Sequence, residues 1–154
     1  MNDIKLMNKA ADNIRILAAS MVEKAKSGHP GGAMGGADFV NVLFSEFLVY
    51  DPKNPAWEGR DRYFQDPGHM SPMLYSVLAL AGKFTIDELK EFRQWGSVTP
   101  GHPEVNVMRG IENTSGPLGQ GHTYAVGAAI AAKFLKARLG DDMNHTIYTY
   151  ITDV

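Results

Sequence analysis

Gly116-Pro117-Leu118-Gly119-Gln120-Gly121-His122 opens the stretch that decides the fold, and Thr146-Ile147-Tyr148-Thr149-Tyr150-Ile151-Thr152-Asp153 closes it. Between them the chain predicts a helix over about His122–Leu139, with Gly140 as its C-terminal cap. The helix is rich in small side chains (Ala125, Gly127, Ala128, Ala129, Ala131, Ala132), which suit close packing against a sheet or another helix. Residues 146–152 are dominated by β-branched and aromatic side chains and predict a strand. A glycine-rich loop, a helix and a strand in that order point to an α/β fold. Asp153 stands at the carboxyl end of the strand, where open α/β sheets bind ligands.

Upstream, helical spacing of Ala10, Ile14, Leu17, Ala18, Met21, Val22 and Ala25 predicts a helix over about Lys5–Lys26, ended by Gly28 and Pro30. A second helix is predicted over Asp38–Leu48, with Asp38 as its N-cap. Arg62–Gln65 reads as a short strand. A third helix starts with Ser71 as cap and Pro72 at the first helical position, and ends at Gly82. A fourth runs from Thr85 to about Trp95, and Glu88 completes a capping box. Residues 96–121 hold six Gly and three Pro in one long loop, and loops of that length in a compact domain tend to be functional.

Four of the five histidines directly follow a glycine: Gly28-His29, Gly68-His69, Gly101-His102 and Gly121-His122. With 16 Gly in 154 residues, chance would place about half of one such pair, so the pairing needs a cause. Glycine lets backbone approach a ligand, and the imidazole beside it can donate or accept a proton. Each segment also has a plain structural reading. Ser27 to Asp38, with five Gly in residues 28–36, reads as a linker between helices. Asp66-Pro67-Gly68-His69-Met70-Ser71-Pro72 reads as a helix start, and also as an anion site at a helix N-terminus. Thr99-Pro100-Gly101-His102-Pro103-Glu104 reads as a rigid turn or as an active-site loop. The loop at 114–122 matches neither a phosphate-binding Walker loop nor the dinucleotide fingerprint. The spacing of the histidines does not suit a metal centre, and His145, before the last strand, reads as surface or structural.

Composition narrows the classes. The chain is 44% apolar and 21% charged, which is the balance of an ordinary globular domain and argues against disorder. A net charge of −2 gives no support to a nucleic-acid partner. Without cysteine there is neither a disulfide framework nor a thiolate metal site, which suits the cytoplasm. No apolar run approaches the roughly 18 residues of a membrane span, so no membrane partner is expected.

Taken together, Lys26–Asp38, Asp66–Ser76, Thr99–Glu104, Gly116–Gly121 and Tyr148–Asp153 resemble, in order and spacing, the N-terminal part of transketolase. The resemblance implies the thiamine diphosphate-binding fold, with helices around a mostly parallel sheet that is incomplete in this chain. Residues 1–154 would be the N-terminal part of the diphosphate-binding module, and the chain would be a fragment inactive alone. It further implies thiamine diphosphate and Mg²⁺ or Ca²⁺ as cofactors, sugar phosphates as substrates, a two-carbon ketol transfer, and a cytoplasmic homodimeric parent. His29 and His102 resemble the histidines that meet the donor sugar's hydroxyls and handle protons. His69 resembles the histidine that contacts the diphosphate. Gly116, Pro117 and Leu118 resemble the segment lining the thiamine. Asp153 resembles a metal-binding Asp. His122 stands where the family more often has an apolar residue, and no role is assigned to it. Dihydroxyacetone synthase, a split transketolase subunit and a non-catalytic paralogue that serves as a binding module are the alternatives.

Overall fold

The computed structural model describes Asn2–Thr152. Asp153 lies outside the described residues. The chain divides into two compact units, one built from residues up to Leu48 with His69–His102, the other from Val49–Gly68 with residues from Pro103 onward.

The first unit is helical. Helix α1 (Ile4–Ala25) is capped by Asp3, whose carboxylate accepts from the Lys5 and Leu6 amides. Its buried stripe of Ala11, Ile14, Ala18 and Met21 follows the predicted spacing, and α1 ends where Lys26 turns left-handed at φ 50°. The glycine-rich segment that reads as a linker holds a short helix, α2 (Pro30–Gly35), with Pro30 in its first turn. Gly32 permits its packing: a Cβ there would lie 2.9 Å from Met70 Sδ. Helix α3 (Ala37–Val42) follows and runs into a single π turn, Leu43–Phe47. Its cap is Gly36 rather than Asp38, which sits in the first turn and pairs with Arg15 instead.

Helix α4 (Ser71–Leu80) is buried from Ser71 through Leu78, and it packs on α1, α2 and α3. Met70 holds the cap position, and the Ser71 hydroxyl donates to the Gly101 carbonyl at 2.7 Å rather than to its own helix. Helix α5 (Ile86–Lys90) keeps its capping box, with Glu88 N donating to Thr85 Oγ1 (3.2 Å) and Thr85 N donating to Glu88 Oε2 (2.8 Å). It stops five residues short of Trp95, since Glu91 already leaves helical geometry (φ −91°, ψ 17°); Arg93 beyond it adopts φ 61°, and Trp95 is fully exposed. The Tyr75 ring meets Phe84 and Phe92 edge-on, at 5.4 and 6.3 Å between centroids.

The second unit is α/β. Strand β1 (Arg62–Gln65) pairs in parallel with β2 (Ile147–Tyr150), Arg62 opposite Ile147 and Gln65 opposite Tyr150. Helix α6 (Gln120–Leu139) packs on both strands, and the Gly140 amide closes it on the Lys136 carbonyl. Asp61 ties the start of the pair: its carboxylate accepts from Thr146 N at 2.6 Å and from Val49 N at 3.0 Å. At Gln65 the edge of β1 away from β2 is paired by a side chain, since Asn113 accepts from Gln65 N and donates to Gln65 O, both at 3.2 Å. Nearby, Arg60 and Glu112 form a buried two-point ion pair (2.8 and 3.0 Å). The long loop is ordered locally by an Asn106–Ile111 bridge around a 3₁₀ turn, Val107–Arg109.

Candidate functional site

Three of the glycine-flanked histidines gather in the first unit. His29 precedes α2 in extended backbone. His69 lies in the 3₁₀ turn that leads into α4. The loop before His102 is tied to α4, because Tyr75 Oη donates to the Pro100 carbonyl at 2.9 Å and Ser71 to the Gly101 carbonyl. The His29 and His69 rings meet edge to face, 5.1 Å apart at 67°. Burial, then the nearby His29 and His102 rings, holds the His69 imidazole below its usual range. Burial, then the Arg93 guanidinium and His29, does the same for His102. Neutral imidazoles each offer one donor and one acceptor, which suits sugar hydroxyls and proton exchange. Arg93 donates to Ser27 Oγ at 2.8 Å, while its buried Nε has no hydrogen-bond partner. The donor set therefore fits a ligand with hydroxyls and negative charge.

In the second unit, Gly116-Pro117-Leu118 forms the approach to α6. Ser115 N donates to the Pro103 carbonyl at 3.0 Å, and its buried hydroxyl has no partner. Pro117 and Leu118 are exposed, and Leu118 presents an apolar side chain to the outside. Asp66, which the sequence offers only as part of the helix-start segment Asp66–Pro72, is buried at the end of β1. Its carboxylate accepts from Gly119 N at 3.0 Å and Gly121 N at 2.6 Å. Burial pushes this carboxyl up, but the backbone N–H groups of Gly119, Gly121 and His122, with the His122 ring, outweigh it and hold the group below the usual carboxylate range. His122 Nδ1 is buried, has no hydrogen-bond partner and lies 3.7 Å from Asp66 Oδ2. The approach of α6 to β1 is close: a Cβ on Gly121 would stand 2.4 Å from Asp66 Cα. Among the described residues, no group of three or more His, Asp or Glu could hold a metal ion.

The model of one protein family, "Transketolase, thiamine diphosphate binding domain", matches residues 6–154. The chain belongs to the transketolase family. It is 48% identical over 157 residues to transketolase-1 of Arabidopsis thaliana chloroplasts, which spans 98% of this chain and 21% of that protein. Against transketolase 1 of Escherichia coli it is 49% identical over 148 residues, 93% of this chain and 22% of the relative. The crystal structure of Campylobacter jejuni transketolase superposes with a TM-score of 0.93 at 47% identity, over 99% of this chain and 24% of that one. A Pichia stipitis transketolase solved in complex with sedoheptulose-7-phosphate superposes at 0.84 and 42% identity, over 94% and 22% of the two chains. The chain thus spans about a fifth of the length of the curated relatives it matches.

Membership in the transketolase family establishes the thiamine diphosphate-binding fold, and the parallel β1–β2 pair with α6 across it is the part of the sheet described here. Each unit by itself offers groups that fit part of the cofactor's chemistry: in the first, neutral imidazoles and an arginine suit oxygen-rich groups; in the second, the unpartnered Ser115 hydroxyl and the exposed Leu118 suit a polar edge and a flat ring. No helix among the described residues is long and apolar enough to cross a membrane.

Proposed function

We propose that the protein carrying this domain is a transketolase, moving a two-carbon ketol unit from a ketose phosphate to an aldose phosphate, with residues 1–154 as the N-terminal part of its diphosphate-binding module. When bound, thiamine diphosphate supplies the nucleophilic carbon and the electron sink for the donor carbonyl. His69 donates to the diphosphate. His29 and His102 hydrogen-bond the donor sugar's hydroxyls, orient them, and hold or pass protons through their ring nitrogens. Gly116, Pro117 and Leu118 line the thiamine through backbone polar groups and the Leu118 side chain. A Mg²⁺ or Ca²⁺ ion bound by Asp153 and diphosphate oxygens belongs to the same reading, since such hard cations take oxygen ligands. So do a homodimeric parent and a cytoplasmic location, which rest on the family resemblance.

The observation that carries this reading is the gathering of His29, His69 and His102, with the His29 and His69 rings 5.1 Å apart and His102 close enough to interact with both. Calorimetric titration of thiamine diphosphate into the intact polypeptide and its His69→Ala variant tests it. Weaker cofactor binding with His69→Ala, together with lost turnover of a ketose phosphate in His29→Ala and His102→Ala, is the expected result. Unchanged cofactor affinity would remove His69 from the diphosphate, and full turnover in both other variants would remove the proposed proton handling.

A further inference from the structure

We propose that Asp66 is a positioning residue: it clamps the segment Gly116–Gly121 to the sheet, so that Gly116, Pro117 and Leu118 keep one fixed face for the thiamine rings. The proposal rests on the reading that this loop lines the thiamine. A buried carboxylate is tolerated only where its lone pairs are satisfied, and Asp66 is 1% exposed. Its carboxylate accepts not from cations but from two amides of the loop and helix start, Gly119 N and Gly121 N, one on each oxygen. These are N–H groups that a helix N-terminus otherwise leaves unpaired, and a charged acceptor makes such bonds about twice as strong as neutral ones. Gly119, at φ +89°, turns the chain so that both amides converge on the one carboxylate. Asp66 is itself held by the sheet, its amide donating to the Tyr150 carbonyl at 3.1 Å. The line of reference therefore runs from β2 through Asp66 to the loop. His122 Nδ1, at 3.7 Å, is too far for a hydrogen bond, so backbone donors carry the clamp: the Gly119 and Gly121 amides at 3.0 and 2.6 Å, with the His122 N–H beside them.

Asp66→Asn tests this in the intact polypeptide. The amide has nearly the same shape, but it sets an NH₂ against one of the two backbone donors. Affinity for thiamine diphosphate, followed by calorimetry, should fall by about 10- to 100-fold. Affinity for inorganic diphosphate, which has no rings to position, should change by less than about twofold. Equal losses for both ligands would mean a general structural defect and overturn the positioning role, as would an unchanged thiamine diphosphate affinity. Leu118→Ala separates this failure from failure of the loop reading. If Leu118→Ala weakens cofactor binding and Asp66→Asn does not, the loop reading stands and the clamp is wrong. If neither variant changes binding, the loop does not line the thiamine. Amide hydrogen exchange on the unsubstituted protein needs no variant to fold: Gly119 and Gly121 should be protected, and exchange at the rate of free peptide would overturn the clamp by itself.

Discussion

Replacing Gly121 by alanine probes the closest approach in the second unit. The new Cβ would lie 2.4 Å from Asp66 Cα and 2.9 Å from both Asp66 N and the Gln65 carbonyl oxygen. All three are backbone atoms, so no side chain can swing aside. Ordinary contact begins near 3.4 Å, so the start of α6 would have to retreat by about 1 Å. That movement stretches the 2.6 Å bond from Gly121 N to Asp66 beyond useful length. Overpacking of a tight site costs about 1–3 kcal/mol, and losing a hydrogen bond to a charged group costs about 1.5–3 kcal/mol. The two losses arise from one displacement and overlap, which gives an expected destabilisation of about 2–4 kcal/mol. Gly127 supplies the matched control, because it lies in the same helix and a Cβ there meets nothing within 4 Å. Gly127→Ala should stabilise by up to about 1 kcal/mol through helix propensity alone. Urea unfolding of the two variants, followed by circular dichroism, measures the difference. Equal midpoints would refute the close packing of α6 on the end of β1.

Four further outcomes follow from the geometry. In a histidine NMR titration, His69 and His102 should ionise below the ordinary value of about 6.5. The unfolded chain then binds more protons in that window, so their contribution to stability is complete above about pH 6.5 and is lost as the pH falls toward the folded values. Added inorganic diphosphate should shift His69 upward, because a nearby anion favours the imidazolium. Arg60→Ala should destabilise by about 3–5 kcal/mol by stranding Glu112 in a buried site, whereas Arg60→Met with Glu112→Leu should come close to neutral; chemical denaturation reads both. Thr85→Ala should cost about 1 kcal/mol by removing the α5 cap, seen as a lower melting temperature.

The elements legible in the sequence were those whose stability is local or whose burial is one-sided. Helix α1 shows its stripe because one face is buried; α5 shows its capping box because both partners lie within four residues. Helix α2 was not legible, since five glycines in nine residues argue against a helix. What Gly32 supplies is room for Met70, about forty residues away. Asp38 and Ser71 both suit a cap, yet tertiary partners claimed them: Arg15 for the first, the Gly101 carbonyl for the second. At the candidate site, the glycine–histidine pairs mark His29, His69, His102 and His122, and the structure gathers the first three in one unit. Asp66 and His122 were missed as neighbours because 56 residues separate two groups whose meeting depends on how α6 lies on β1. The segment Asp66–Pro72 reads as the start of the helix that follows it, and nothing local shows that its carboxylate caps a distant one instead.

The parallel pairing of β1 with β2 also has a consequence for how this domain is made. Arg62 finds its register only with Ile147, 85 positions later in the chain. At a synthesis rate of about 5–20 residues per second, β1 leaves the ribosome roughly 4–17 s before its partner strand exists. Helix–coil relaxation takes microseconds or less, so α1 can form long before then. During that interval the β1 edge has no strand to pair with, and a non-local parallel pairing of this kind is intrinsically slow and exposed to aggregation. Asn113, which holds one side of Gln65 in the folded chain, is synthesised about fifty residues after it and so is available before β2 is complete. The side-chain amide that serves the finished sheet as an edge partner is thus on hand for the nascent strand while its partner strand is still unmade.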